Sequence, residues 1–438
     1  MADLRELDGP HFGTDPWRLR ETWADPARAG VAETLFAVGN GWLGVRAAPD
    51  EGGGAARGAF VNGFHATFPI VYPEESYGYA RVGQTIVAVP DASVLRVEAG
   101  GAAFDLAGPG VEAYERTLDF QRGSLSRRVV WQSPAGRLRL SSERLVSLAD
   151  QALALFAVEV EAVDGDIDVA VVSELAEPLG AGRGGAADGL GRVGSGVSGL
   201  AGPAGCGVAP DGLGRVGSDV SGMIGQVGRV GSDVSGPAGP AGREAAPNAW
   251  DPRRADWLDR PLICEAVAAD ADEAALASRA AGSGLAVGVA VDHRVEGAAA
   301  EVAADVGAAS VRQTFRFRAL AGQPVRLAKR AAYAVTAGPA GEALAAARAA
   351  LAAAPSAGGL RDRQRAWLDA FWERSDVTVA GPGAAPVQQA VRWTLFQLAQ
   401  ATAQTAGQGV AAKGVTGSGY SGHYFWDTEI FVLPFLTY

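Results

Sequence analysis

Apolar and charged residues alternate along about the first 340 residues of this 438-residue chain. Clear examples are the segments 137–140 (Arg-Leu-Arg-Leu), 158–161 (Val-Glu-Val-Glu) and 315–318 (Phe-Arg-Phe-Arg). Such alternation places apolar side chains on one face of a strand and charges on the other, as in antiparallel sheets with one wet side. Turn signals such as Pro109-Gly110 separate the strands. Many short strands at this spacing predict a large antiparallel β-sandwich over residues 1–338.

The composition changes within this region, between Leu179 and Pro247. Small residues, valine and proline dominate there, and no aromatic residue occurs. The sequence Gly-Ser-Asp-Val-Ser-Gly occurs at 217–222 and again at 231–236. A segment of this kind buries too little apolar surface to offset the entropy lost on ordering it. Residues 179–247 are therefore predicted to be a disordered insertion in the sandwich.

From Pro339 onwards the pattern becomes helical. The spacing of apolar residues and the glycines predict three helices and then a loop: helices 342–353, 360–374 and 387–406, and a glycine-rich loop over 407–422. A last helix is predicted to start near Asp427. The first two helices form a helical linker over 339–382, and residues 383–438 form the final segment.

Charge and composition narrow the class of protein. The sequence has 38 basic and 49 acidic residues, a net charge of −11, which argues against nucleic acid or anionic membranes as partners. No run of 18 apolar residues predicts a membrane-spanning helix, and the N-terminus shows no signal-peptide pattern. Two cysteines, Cys206 and Cys264, and four scattered histidines give neither a disulfide framework nor metal-ligand spacing. We therefore expect a cytoplasmic protein without metal or other cofactor.

The candidate chemistry lies in the segment 417–435, where a glycine-rich loop leads into a cluster of aromatic and acidic residues. Aromatic faces stack on the C–H face of a sugar ring, and a carboxylate accepts hydrogen bonds from sugar hydroxyls. Trp426 and Asp427 are therefore candidate sugar-binding residues. The structural alternative is that Trp426 belongs to the core and Asp427 caps the following helix, and both interpretations can hold at once.

A motif at 423–434 (His-Tyr-Phe-Trp-Asp-Thr-Glu-Ile-Phe-Val-Leu-Pro) lies roughly 400 residues after a second one at 33–46 (Glu-Thr-Leu-Phe-Ala-Val-Gly-Asn-Gly-Trp-Leu-Gly-Val-Arg). Both resemble motifs of glycoside hydrolase family 65, the inverting α-glucoside phosphorylases and hydrolases, and they occur in the family's order. The resemblance covers the chain from about Trp17 to Tyr438, apart from the insertion. It implies a galactose-mutarotase-like β-sandwich, linker helices and the truncated start of an (α/α)6 barrel over 383–438.

The 33–46 motif is expected to be structural. Residues 35–38 and 43–45 are predicted strands, and Asn40-Gly41 is the predicted hairpin turn between them. No strand–loop–helix unit surrounds the glycines, so they are not expected to cradle a phosphate.

The resemblance also implies roles at the second motif. Trp426 and Asp427 match residues that hold the glucosyl unit next to the scissile bond. Four neighbours are expected to support that pair: His423, Tyr424, Thr428 and Glu429. Thr428 and Glu429 are expected to orient it.

The reaction implied by the family is cleavage of an α-glucosidic bond with inversion. It needs a carboxylic acid to protonate the leaving oxygen and a nucleophile on the opposite face. In the phosphorylases that nucleophile is inorganic phosphate, a co-substrate. The family's acid is expected beyond Tyr438, so no catalytic residue is assigned, and the chain alone is expected to be inactive.

The sequence is thus interpreted as an N-terminal fragment of an inverting phosphorylase acting on an α-linked glucose disaccharide, and a homodimer is one possible assembly of the intact enzyme. Two alternatives stay open. One is a fragment of a trehalase-like family 65 hydrolase, and the other is a non-catalytic carbohydrate-binding β-sandwich protein.

Overall fold

The computed structural model describes residues 12–54, 58–72, 74, 76–178 and 261–437. In these residues the strands are β1 (Phe12–Asp15), β2 (Arg18–Glu21), β3 (Val38–Gly39), β4 (Leu43–Val45), β5 (Ala59–Pro69), β6 (Val82–Val89), β7 (Leu95–Ala99), β8 (Ala102–Ala103), β9 (Val111–Asp119), β10 (Ser124–Ser133), β11 (Gly136–Val146), β12 (Leu153–Ala162), β13 (Ile167–Ala176), β14 (Leu262–Ala269), β15 (Glu273–Ala280), β16 (Ala286–Glu296), β17 (Glu301–Val306), β18 (Ser310–Ala319), β19 (Val325–Thr336) and β20 (Ala412–Val415). The helices are α1 (Ala29–Leu35), α2 (Ala340–Ala352), α3 (Ala357–Ser375), α4 (Ala384–Thr402), α5 (Thr428–Phe431) and α6 (Leu433–Thr437).

The strands of the described residues form three antiparallel sheets. The largest has ten strands in the order β1-β2-β9-β10-β11-β12-β19-β16-β15-β14. A second sheet has the order β17-β18-β13-β7-β8, and a third has the order β3-β4-β5-β6. Buried side chains from all three sheets belong to one hydrophobic cluster. The predicted antiparallel β-sandwich with accompanying helices is therefore confirmed.

The alternation read from the sequence explains which residues enter the core. In β11 and β12, Leu138 and Val160 are fully buried. Their neighbours Arg139 and Glu161 lie opposite each other across the two strands and form an ion pair of 2.5 Å on the wet face. Each strand thus contributes alternate side chains to the core, as the period of two requires.

Helix α2 packs against the outer face of the ten-stranded sheet through small residues. Ala275, Ala290 and Ala332 of the sheet and Ala343 and Ala347 of the helix are all buried in this second cluster. The close approach of helix and sheet follows from this alanine-rich contact, since short side chains allow it without voids.

Helices α3 and α4 fix the C-terminal third of the described chain to the sandwich. The Trp372 indole donates a hydrogen bond to the carbonyl of Phe120 (2.9 Å), and the Phe120 and Phe396 rings lie 5.7 Å apart. Arg392 forms a bidentate ion pair with Asp376, with both N–O distances 2.7 Å. The three long helices lie within a few residues of their predicted positions.

Two expectations need correction. Residues 35–38 were predicted to be a strand, but Leu35 ends helix α1 and only Val38–Gly39 is extended. The helix forms because its residues include good helix formers such as Ala32 and Glu33, and because the Ala32 side chain is buried. The last helix does begin after Asp427, but it breaks at Val432 into α5 and α6. Pro434, which lacks an N–H group, follows the break.

The predicted insertion at 179–247, including Cys206, lies outside the described residues. Among the residues that are described, no single helix is long and apolar enough to cross a membrane. Helices α2 and α3 reach the necessary length and apolar character only when taken together, and the chain bends by 86° between them.

Candidate functional site

The hairpin between β3 and β4 is built around Asn40, which is fully buried. Its side-chain carbonyl accepts hydrogen bonds from the backbone N–H groups of Trp42 (3.0 Å) and Leu43 (2.7 Å). Its side-chain amide donates to the carbonyls of Ser147 (2.8 Å) and Gln151 (2.9 Å). The predicted turn is confirmed, and the amide that makes it also joins the hairpin to the large sheet.

Residues 38–46, called the signature hairpin below, also hold the end of helix α4. The backbone N–H of Gly39 donates to the side-chain carbonyl of Gln400 (2.7 Å). The backbone N–H of Gln404 donates to the carbonyl of Asn40 (2.7 Å). The two family motifs, far apart in sequence, are thus joined through the helix that leads into the second one.

The other side of the signature hairpin contacts strand β20. A Cβ atom on Gly44 would lie 2.1 Å from the carbonyl oxygen of Val415, so only glycine fits there. At the end of the hairpin, Arg46 donates from Nη1 to the carbonyl of Thr416 (2.9 Å) and from Nη2 to that of Gly30 (3.1 Å). Burial lowers the pKa of Arg46, although a guanidinium stays charged in proteins.

Asn62 of β5 connects three segments at one point. Its side-chain carbonyl accepts from the Tyr424 hydroxyl (2.7 Å), and its amide donates to the carbonyls of Gly41 (2.8 Å) and Gly409 (2.9 Å). The Tyr424 ring packs on Gly409, where a Cβ atom would come within 2.7 Å of the ring. Burial raises the pKa of Tyr424. Tyr424 therefore ties the second motif to the sandwich.

His423 makes a parallel connection to β6. Its Nε2 lies 3.0 Å from the carbonyl oxygen of Gln84, so this nitrogen carries the proton and donates. Beside it, a Cβ atom on Gly422 would lie 2.7 Å from Ile86. These contacts attach the exposed His423 to the sandwich, and its supporting role stays a prediction.

Trp426 and Asp427 are both exposed. The Trp426 side chain is 83% exposed, so it takes no part in the core formed by the described residues. The carbonyl of Asp427 accepts from the N–H groups of Ile430 (2.9 Å) and Phe431 (3.0 Å), so the residue starts helix α5. Its carboxylate makes no capping hydrogen bond. An indole face and a carboxylate are thus adjacent and reachable by a ligand.

The two residues expected to orient this pair have different surroundings. The Thr428 hydroxyl donates to the carbonyl of Phe425 (2.9 Å) and so closes the turn that carries Trp426. The Glu429 side chain is exposed and has no bonded partner among the described residues. Their orienting role stays a prediction, as do the binding roles of Trp426 and Asp427.

Beyond Asp427 the segment exposes apolar side chains in a contiguous stretch of sequence: Ile430, Phe431, Leu433 and Leu436. Val432 is buried, and the Phe435 ring lies 6.1 Å from that of Phe371. The segment is therefore attached on one side and apolar on its free side.

The sequence did not indicate the buried amides that hold the site. One signal was available at Asn62-Gly63, because an Asn-Gly pair inside an apolar strand indicates a bulge. The structure has a register shift here, between Phe60 and His65. The partners of the amide could not be inferred from that signal.

Two family models match the sequence of this chain. The model "Glycosyl hydrolase family 65, N-terminal domain" matches residues 19–178 and 238–371, and the "Glycosyl hydrolase family 65 central catalytic domain" matches residues 392–438. The chain belongs to glycosyl hydrolase family 65. The first match ends in helix α3 and the second begins in helix α4, which leads from the sandwich to the second motif.

Relatives of this family 65 chain include an uncharacterized glycosyl hydrolase of Mycobacterium leprae, 35% identical over 98% of this chain and 46% of the relative. An α,α-trehalose phosphorylase of Thermoanaerobacter brockii is 27% identical over 98% of this chain and 48% of its own length. The fold is similar to that of a putative kojibiose phosphorylase from the human microbiome, with a TM-score of 0.74, 18% identity, and coverage of 98% of this chain and 47% of that chain. The chain thus spans about half the length of the curated relatives it matches.

Proposed function

We propose that this chain supplies the glucosyl-binding part of an inverting phosphorylase that acts on an α-linked glucose disaccharide, with inorganic phosphate as co-substrate. The observation that carries the proposal is the exposed Trp426–Asp427 pair on a turn whose preceding residues, Tyr424 and His423, are hydrogen-bonded to the sandwich. Phosphorolysis is preferred to hydrolysis because named relatives and the structural neighbour are trehalose and kojibiose phosphorylases. A cytoplasmic location and a homodimeric intact enzyme belong to the same proposal.

The chemistry of the pair suits sugar binding. The exposed indole offers an apolar face to the C–H groups of a pyranose, and the carboxylate can accept hydrogen bonds from hydroxyls. Each such bond to an ionised carboxylate contributes roughly 1.5–3 kcal/mol. The carboxylates of residues 407–438 are Asp427 and Glu429. Neither is assigned as proton donor, so we expect sugar binding by this chain without turnover.

The binding test uses the 438-residue protein. Glucose, trehalose and kojibiose are titrated into it by calorimetry, with the variants Asp427→Asn and Trp426→Ala beside the unaltered chain. Both variants should bind at least about tenfold more weakly because each removes one ligand contact, while their unfolding curves stay unchanged. Asp305→Asn, which removes an exposed carboxylate from β17, is the matched control and should bind normally.

The reaction is tested separately. In a full-length enzyme built on this sequence, Asp427→Asn should lower kcat/KM for phosphate-dependent release of glucose 1-phosphate by at least about tenfold. Since asparagine caps helices about as well as aspartate, normal kinetics in this variant would make Asp427 structural. Sugar binding in the full-length enzyme without any cleavage would favour the non-catalytic binding protein. Release of glucose 1-phosphate by the 438-residue chain would show that the expected inactivity is wrong.

A further inference from the structure

The turn before the Trp426–Asp427 pair contains unfavourable backbone geometry. Tyr420 and Ser421 have φ values of +51° and +56°, and they are the two non-glycine residues with positive φ in the described part of the chain. The left-handed region is costly for a bulky residue such as tyrosine, and such residues concentrate at functional sites. Glycine would adopt this conformation freely.

The surrounding contacts force the turn into this shape. The N–H of Ser421 donates to the carbonyl of Ser418 (2.9 Å), and the N–H of His423 donates to that of Tyr420 (3.0 Å). A Cβ atom on Gly419 would lie 2.6 Å from the Lys413 side chain. These contacts hold the backbone of the turn on both sides of Tyr420.

The Tyr420 ring is fixed in position but remains accessible. Its side chain is 64% exposed, its ring packs edge-to-face on Phe425 at 5.7 Å, and the Lys413 ammonium lies 5.0 Å from its centroid. Phe425 directly precedes Trp426, so the tyrosine ring contacts the residue next to the exposed indole. A tyrosine needed only for packing would bury its ring, whereas this one exposes most of it.

We infer that Tyr420 is a second aromatic contact for the hexopyranose ligand, next to Trp426. The inference rests on the proposed function and adds a binding residue to the same site. The sugar ring would contact the Tyr420 face or edge through C–H groups while Asp427 accepts its hydroxyls. The strained turn thus keeps an aromatic ring in place for the ligand.

The test compares three variants of the 438-residue chain in the same glucose and kojibiose titrations, with thermal unfolding measured in parallel. Tyr420→Gly removes the ring and relieves the strain. Tyr420→Phe keeps the ring. Ser421→Gly relieves strain at the next residue and also keeps the ring.

We expect Tyr420→Gly to weaken sugar binding at least about fivefold without lowering Tm, because relief of strain offsets the lost ring contacts. Tyr420→Phe and Ser421→Gly should bind like the unaltered chain. Normal binding by Tyr420→Gly, together with lost binding by Asp427→Asn, would overturn this inference alone. Equal losses of affinity in Tyr420→Gly and Ser421→Gly would overturn it in favour of turn shape. No binding by the unaltered chain would overturn the proposed function as well.

Discussion

The signature hairpin and the segment from Tyr420 to Leu436 differ in which side chains they bury and which they expose. The hairpin buries amides, and each buried amide is bonded, as at Asn40 and its neighbour Asn62. The segment from Tyr420 to Leu436 instead exposes a tryptophan, the carboxylates of Asp427 and Glu429 and several apolar side chains. Buried, satisfied amides fix one backbone geometry, because any other arrangement leaves polar groups without partners. Exposed aromatic groups contribute little to that geometry and remain available to a ligand.

The largest effect is expected where the hairpin touches β20. Gly44→Ala places a Cβ atom against the Val415 carbonyl, and backbone cannot move aside as a side chain can. We expect the free energy of unfolding to fall by about 3 kcal/mol, measured by urea denaturation, with faster proteolysis around residues 407–424. Gly165→Ala is the matched control, since no atom lies within 4 Å of the added Cβ. Equal stability of the two variants would show that the hairpin does not constrain the segment.

The sandwich fully buries an ionisable side chain, that of Lys329. Its ammonium donates to the carbonyl of Glu174 (2.8 Å), and burial lowers its pKa to about 7. Between about pH 7 and pH 10.5, Lys329 is mostly neutral in the folded state. In the unfolded state its pKa is near 10.5, so it is still protonated there. Stability should therefore rise with pH across this window, by about 2 kcal/mol between roughly pH 7.5 and pH 9.5.

The check is urea denaturation at several pH values. Lys329→Met should remove this slope, whatever its effect on absolute stability. The only other lysine of the sequence, Lys413, is exposed, and Lys413→Met should leave the slope intact. A flat profile in the unaltered protein would show that Lys329 is protonated in both states over this range.

Local pattern predicts local structure here, and the site depends on long-range contacts. The alternation at 137–140 identifies strand β11, because the period of two is set by backbone geometry alone. The same pattern does not predict the order of strands in the sheet, in which β19 lies between β12 and β16. Trp426 and Asp427 could be identified as candidate binding residues from the sequence motif at 423–434. Tyr424, two residues before Trp426, donates its hydroxyl hydrogen bond to Asn62, 362 residues away, and no periodicity encodes such a partner.

A smaller effect is expected at that bond. Tyr424→Phe leaves the buried carbonyl of Asn62 without its hydroxyl donor, which should cost about 1 kcal/mol in the free energy of unfolding. Tyr420→Phe is the matched control, because the structure gives its hydroxyl no hydrogen bond among the described residues. If both variants unfold alike, water replaces the Tyr424 hydroxyl, and the connection between hairpin and segment is weaker than the geometry implies.

The smallest effect on stability is expected on the free face of the C-terminal segment. Phe431 and Leu436 are exposed, so replacing both by serine should change the free energy of unfolding by less than about 0.5 kcal/mol. Association should change much more, since contiguous exposed apolar side chains favour contact between molecules. Light scattering should show concentration-dependent oligomers for the unaltered chain and fewer for the double variant. Val432→Ser offers the contrast, because it alters a buried neighbour and should lower stability instead. If the unaltered chain is monomeric at all concentrations, this face does not drive association. Ligand binding would then be the remaining role for the exposed side chains of the segment.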